Sequence, residues 1–288
     1  GPLVLAAAFD RSMPDLFQFY IRSVNMDGST ATDFGVSGDA LPVAEDARRL
    51  LRRPAGIVTY GYEHMTAHDE TGSAIGSFAP PLSPPTTYRA AVADSDDRVV
   101  FGGANLGGPF TIARLLPDGA LDAGFGTGGS LTVPIPVGHT SSSIEDLAFV
   151  DDGGGVAAAK SNFGNRNENV PVLIRFGPNG ALDNSFGSNG VSSFLGPAGI
   201  GLAEHVGVQS DGRIVVAGGT ATAVDVEDVL VWRFNPDGSV DPSFGTGGQV
   251  LLEAFPFGMA LDEQAGRIVL AGTRPGGSGG IHLTRIWQ

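Results

Sequence analysis

The 288 residues include 44 glycines and 19 prolines, have an apolar fraction of 42% and contain no cysteine. This is a turn-rich folded chain, and disulfides, thiolate metal sites and a cysteine nucleophile are excluded. Seventeen basic against thirty-one acidic residues give a formal charge of -14; phosphate backbones are held by clustered Lys and Arg, so no nucleic acid partner is expected. No apolar run reaches the roughly eighteen residues of a membrane-spanning helix, so no membrane insertion is expected either.

In chain order, Gly1-Pro2 reads as the remnant of a cleaved tag, which would allow a natural leader to have been trimmed. Leu3 to Phe9 reads as a strand that could complete another repeat at the far end of the chain. Gly28 to Phe34 and Gly72 to Phe78 keep one spacing from a turn glycine to a phenylalanine. Between them, Arg48-Arg49-Leu-Leu-Arg52-Arg53 suits an anionic group or a solvated edge pairing with Glu45 and Asp46. His64 and His68 would share a strand face at roughly 13 Å, too far apart for one metal ion.

The spacing then becomes a full phrase, Arg-x-x-x-Asp-Gly-x-Leu-Asp-x-x-Phe-Gly-x-x-Gly. Its copies run from Arg114 through Phe125 to Gly129, from Arg175 through Phe186 to Gly190, and from Arg233 through Phe244 to Gly248. Ahead of each lies a predicted hairpin, at Ala91 to Gly102, Leu147 to Ala159 and Val206 to Gly218, and a fourth follows at Ala260 to Gly272. Asp-Gly and Asn-Gly between β-branched runs signal tight turns, because those residues accept positive φ. The clearest unit has strands a (Val206 to Gln209), b (Arg213 to Gly218), c (Val229 to Phe234) and d (Gln249 to Leu252). The last copy ends on a c strand, Ile281 to Gln288, as the first begins on a b strand. A structural segment of a longer chain is therefore one expectation.

Four short strands in roughly 60 residues, repeated, predict an all-β chain: a β-propeller of four-stranded antiparallel blades forming one domain over 1–288. Six blades fit best, with five or seven left open; a parallel solenoid needs shorter coils. The recurrent Phe is expected to plug the core between blades.

The stretch Arg233-Phe-Asn-Pro-Asp-Gly-Ser-Val-Asp-Pro-Ser-Phe-Gly-Thr-Gly-Gly248 resembles the delta-60 repeat, a bacterial β-propeller repeat family. The likeness is close over the third to fifth repeats and faint over residues 3 to 80. It implies a secreted or cell-envelope protein and brings no catalytic motif.

In an up-and-down blade the a-b and c-d turns point one way, and the b-c and d-a connections the other. The a-b and c-d turns hardly vary between copies. The expected b-c loops (Asp10 to Leu16, Gly103 to Pro109, Ser161 to Val170, Gly219 to Asp228, Arg274 to Gly280) all differ, so their face is the expected working surface. Aligning the a strands sets Arg48, Arg89, Glu145, Asp146, Glu204 and His205 at the strand starts around a channel mouth. They are either ligand residues for a sugar or carboxylate, or solvated strand ends.

Asp122, Asp183 and Asp241 lie near glycines but do not fit the twelve-residue calcium loop, so turn capping is expected of them. Asn162 to Glu168 is rich in oxygen ligands but is expected to be an exposed loop. No metal site, cofactor, nucleophile elbow or catalytic set is legible. The sequence therefore predicts a non-enzymatic module binding a glycan, a small polar ligand or a protein. The alternative is a hydrolase or lyase acting at the channel mouth.

Overall fold

The computed structural model describes residues 4–10, 18–25, 27, 29–32, 39–40, 47–61, 64–78, 87–163, 168–194, 202–219, 228–253, 255–273 and 282–287. Phe34, Glu45, Asp46 and most of the predicted b-c loops (11–17, 164–167, 220–227 and 274–281) lie outside them.

The strands follow the repeat. The first repeat has three, β1 (Val4–Asp10), β2 (Gln18–Val24) and β3 (Asp39–Ala40); the second has β4 (Ala47–Arg53), β5 (Gly56–Gly61), β6 (Met65–His68) and β7 (Ala74–Phe78). The third has β8 (Thr87–Ala93), β9 (Val99–Leu106), β10 (Phe110–Leu115) and β11 (Ser130–Val133); the fourth has β12 (His139–Phe149), β13 (Gly155–Phe163), β14 (Glu168–Phe176) and β15 (Val191–Ser193). The fifth has β16 (His205–Val208), β17 (Ile214–Gly219), β18 (Asp228–Phe234) and β19 (Gln249–Glu253); the sixth has β20 (Phe255–Asp262), β21 (Arg267–Thr273) and β22 (His282–Trp287), with a single 3-10 turn at Glu263–Ala265. Sheets are ordered as the chain runs, with β9 also pairing with β12. Among the described residues no helix is long and apolar enough to cross a membrane.

The fifth repeat shows why these residues make sheets. Antiparallel register sets His205 opposite Ala217, Ile214 opposite Phe234 and Leu230 opposite Leu251. Alternation then sends Ile214 and Val216 to one face and Val215 and Ala217 to the other. The first pair joins a core with Val156, Leu173, Phe186 and Phe194 of the fourth repeat; the second joins Phe244, Ile268 and Leu270. Both faces are apolar because both are covered, and each buried Val or Ile contributes about 1.5–3 kcal/mol.

Contacts divide the chain into two units, Gly1–Phe101 with Arg114–Asp122, and Gly102–Ala113 with Ala123–Gln288. In the first, β1 packs on β4 and β4 on β8; in the second, β12 packs on β16 and β16 on β20. From the second repeat on, leading strands of successive repeats therefore meet within each unit.

Two boundaries differ from the expected ones. β9 runs through Leu106, so the loop predicted at Gly103 to Pro109 shrinks to Gly107–Pro109. β12 starts at His139, well before the predicted Leu147. Both extensions arise because Ala104, Asn105 and Leu106 pair with Ser143, Ser142 and Ser141, which gives backbone groups of unremarkable sequence a partner from another repeat. Glu145 and Asp146 consequently stand mid-strand, at a bulge between Ile144 and Asp146, rather than at a strand start.

Candidate functional site

The repeated phrase forms one structure three times. After the c strand an Asx turn closes: Asp118, Asn179 and Asp237 each accept from the backbone N-H two residues on. The chain then returns so that the N-H groups of Asp122, Asp183 and Asp241 donate to the carbonyls of Arg114, Arg175 and Arg233. The same carboxylates accept from the Nε of those arginines, at 2.8, 2.9 and 2.7 Å. Asp183 and Asp241 also cap a serine N-H two residues on, as expected, but the arginine partner was missed. The signal for it was the constant eight-residue spacing of Arg and Asp.

Hydrogen bonds from the Ser243 hydroxyl, then from its N-H and Arg233, outweigh desolvation and hold the Asp241 carboxyl at about 2. The Ser185 hydroxyl is likewise the main reason Asp183 lies below the usual carboxylate value. Both carboxylates are held in the charged form at neutral pH and are structurally engaged.

The phrase also joins neighbours. Gly126 N-H donates to the Asn179 carbonyl at 2.7 Å, and Gly187 N-H to the Asp237 carbonyl at 2.8 Å. Beside these bonds Phe125 and Phe186 lie under the next repeat's turn glycine. A Cβ on Gly180 would stand 2.9 Å from the Phe125 ring, and one on Gly238 would stand 2.8 Å from the Phe186 ring. Phenylalanine is thus the expected plug, and the glycine making room for it belongs to the following repeat.

The a-b turns lie beside the phrase within a repeat. Arg175 Nη2 reaches Asp152 at 3.0 Å, and Arg213 Nε lies 3.4 Å from Asp241. In the first unit Asp97, at φ 64, accepts from Arg53 Nη1 at 2.8 Å and from Ala55 N-H at 3.0 Å. Arg53 is therefore buried rather than a solvated edge, because the a-b turn of the next repeat supplies its carboxylate. Arg52 faces Glu70 at 3.8 Å.

The non-repeated polar residues behave differently. Asp146 on β12 reaches the next leading strand: its Oδ2 accepts from Val206 N-H at 2.9 Å and lies 3.9 Å from His205 Nδ1. Glu145 is buried, with Lys160 Nζ at 3.1 Å. Glu204 precedes β16 and is half-buried, and its N-H donates to the Ala217 carbonyl. The second unit thus brings Asp146, Glu204 and His205 to adjoining leading strands. In the first unit Arg89 stands on β8, and Arg48 on β4 with its side chain outside the described residues.

His68 is buried, its Nε2 3.4 Å from Thr59 Oγ1 and its Nδ1 3.3 Å from the Gly72 carbonyl. Burial lowers its pKa and favours the neutral ring. Among the described residues no group of three potential metal ligands occurs.

The geometry can be set beside known proteins. The model of a family described as a domain of unknown function (DUF5122) β-propeller matches residues 95–125, 156–186 and 209–244. Each match ends on the phrase phenylalanine. No curated protein matches the chain. Among solved structures, PorZ, a surface component of the type-IX secretion system of Porphyromonas gingivalis, is 11% identical with a TM-score of 0.54, the likeness covering 98% of this chain and 38% of that one. A gluconolactonase from Xanthomonas campestris is 14% identical with a TM-score of 0.50, covering 95% and 88%. The β-propeller domain of the Trilobed protease from Pyrococcus furiosus is 9% identical with a TM-score of 0.50, covering 98% and 75%. The chain thus spans well under half of PorZ. At such identities the likeness is one of fold, and the fold is an all-β β-propeller.

Proposed function

We propose that this chain is a non-enzymatic binding module, a six-bladed propeller of the delta-60 type acting in the bacterial envelope or outside the cell. Its ligand would be a glycan or another small polar molecule, held near the leading strands and the variable b-c and d-a loops. One observation carries the reading. The arginine and aspartate repeated in three copies are engaged with each other inside the phrase, whereas Asp146, Glu204 and His205 occur once each and gather on adjoining strands. Function needs such asymmetry on a rigid scaffold.

Two carboxylates and an imidazole accept and donate hydrogen bonds in the manner of sugar-hydroxyl recognition. With a net charge of -14, a neutral polyol suits the surface better than an anion. Arg48 and Arg89 are the corresponding candidates of the first unit. A glycan array should give a hit that Glu204→Ala and His205→Ala abolish with Tm unchanged. Binding that survives both substitutions refutes the assignment.

A hydrolase or lyase is the second reading, favoured by the carboxylate-imidazole pair of Asp146 and His205. Turnover of a lactone or polysaccharide, lost in His205→Ala without loss of fold, would establish it instead.

A further inference from the structure

The bulge on β12 decides which way its charges look. Ser143 lies opposite Lys160 and Asp146 opposite Ala158, so alternation along β13 puts all four side chains on one face. Ala158 shares a core with Ala203 and Val206, and that face therefore looks onto the fifth repeat. Glu145 is the extra residue of the bulge, and the Lys160 ammonium 3.1 Å away ties it to the same side. On the facing repeat Glu204 and His205 stand between the core residues Ala203 and Val206. The seam between the fourth and fifth repeats thus collects three carboxylates, an imidazole and one ammonium.

Two further observations point to what this seam would hold. Lys160 is the only lysine of the chain, and the register puts Gly219 at its place in the fifth repeat. It is committed to Glu145, so three carboxylates against one ammonium leave the seam with two negative charges, His205 being counted as neutral. Ser143 is 6% exposed, and its hydroxyl has no hydrogen-bond partner among the described residues. An unmatched buried hydroxyl is costly, and a polar ligand group beside it would offset that cost.

We infer that the seam takes a sugar bearing an ammonium group, the chemistry of a deacetylated amino sugar. The ammonium would lie among Asp146, Glu204 and the Ser143 hydroxyl, while the sugar hydroxyls exchange hydrogen bonds with the carboxylates and His205. An N-acetylated sugar would leave both negative charges uncompensated, and a uronic acid would add a third. The net charge of -14 steers cations toward the chain in the same sense. The inference rests on the glycan-binding reading above and narrows its ligand.

The test is calorimetry on the full chain with two probes, a tetramer of glucosamine and a tetramer of N-acetylglucosamine. The glucosamine tetramer should bind about tenfold or more tighter, a preference that shrinks as salt is raised. Glu204→Gln keeps the shape and removes one charge, and should bring the two tetramers within about twofold of each other. Ser143→Ala should weaken the glucosamine tetramer about fivefold or more without lowering Tm, since its hydroxyl makes no hydrogen bond within the protein. Equal affinity for the two tetramers, or a preference that Glu204→Gln leaves intact, overturns the ammonium assignment while glycan binding stands. Binding of neither tetramer, with no other hit on a glycan array, overturns both.

Discussion

The returning phrase and the leading strands use charge in opposite ways. In the phrase an arginine and an aspartate eight residues apart close on each other at 2.7–2.9 Å in three copies. On the leading strands Asp146, outside the repeated phrase, crosses sixty residues to accept from Val206 N-H. What recurs holds the scaffold together, and what is singular is free to be selected for recognition.

Substitutions can break or sharpen that contrast. The largest effect is expected at Phe186, buried between the fourth and fifth repeats. Phe186→Ala should cost about 3–5 kcal/mol in chemical denaturation, and a cost below about 1 kcal/mol would remove the phrase from the core. Asp241→Ala, which strands a buried arginine, should follow at about 3 kcal/mol. Gly238→Ala should lose about 1–2 kcal/mol or more, since φ 83 is left-handed and the Phe186 ring is in the way.

Acid should act through the same aspartate. Asp241 titrates at about 2 in the folded chain against 3.8 for a free side chain, so its contribution is complete above pH 3.8 and is lost as the pH falls through about 2. Tm curves of wild type and Asp241→Asn should converge over that interval. His68 has the same sign at higher pH: its lowered pKa makes the fold less stable below about 6.5, and His68→Gln should flatten that slope. The smallest effect is expected at Glu204, where alanine should change stability by no more than about 0.5 kcal/mol while abolishing ligand binding. A large loss of stability there would place Glu204 with the scaffold.

The sequence made the phrase, the hairpin turns and the strand count of most repeats legible, because each rests on local spacing. Phe125, Phe186 and Phe244 could be assigned to the core for that reason. The Arg-Asp closure was equally local, at a fixed eight-residue interval, and went unread because the aspartates were already explained as turn caps. The partnership of Asp146 with Val206, the burial of Arg53 against Asp97 and the pairing of β9 with β12 could not be read. Each joins different repeats through residues with no counterpart in other copies.

The joint between repeats has a direction. Phe186-Gly187 is complete only when Asp237-Gly238 has been made, about fifty residues later, and Phe125-Gly126 waits in the same way for Asn179-Gly180. On a ribosome, where the N-terminal end emerges first, each repeat would remain unlatched until its successor had left the exit tunnel. Order should therefore advance along the nascent chain in steps of one repeat, each new turn fastening the repeat before it.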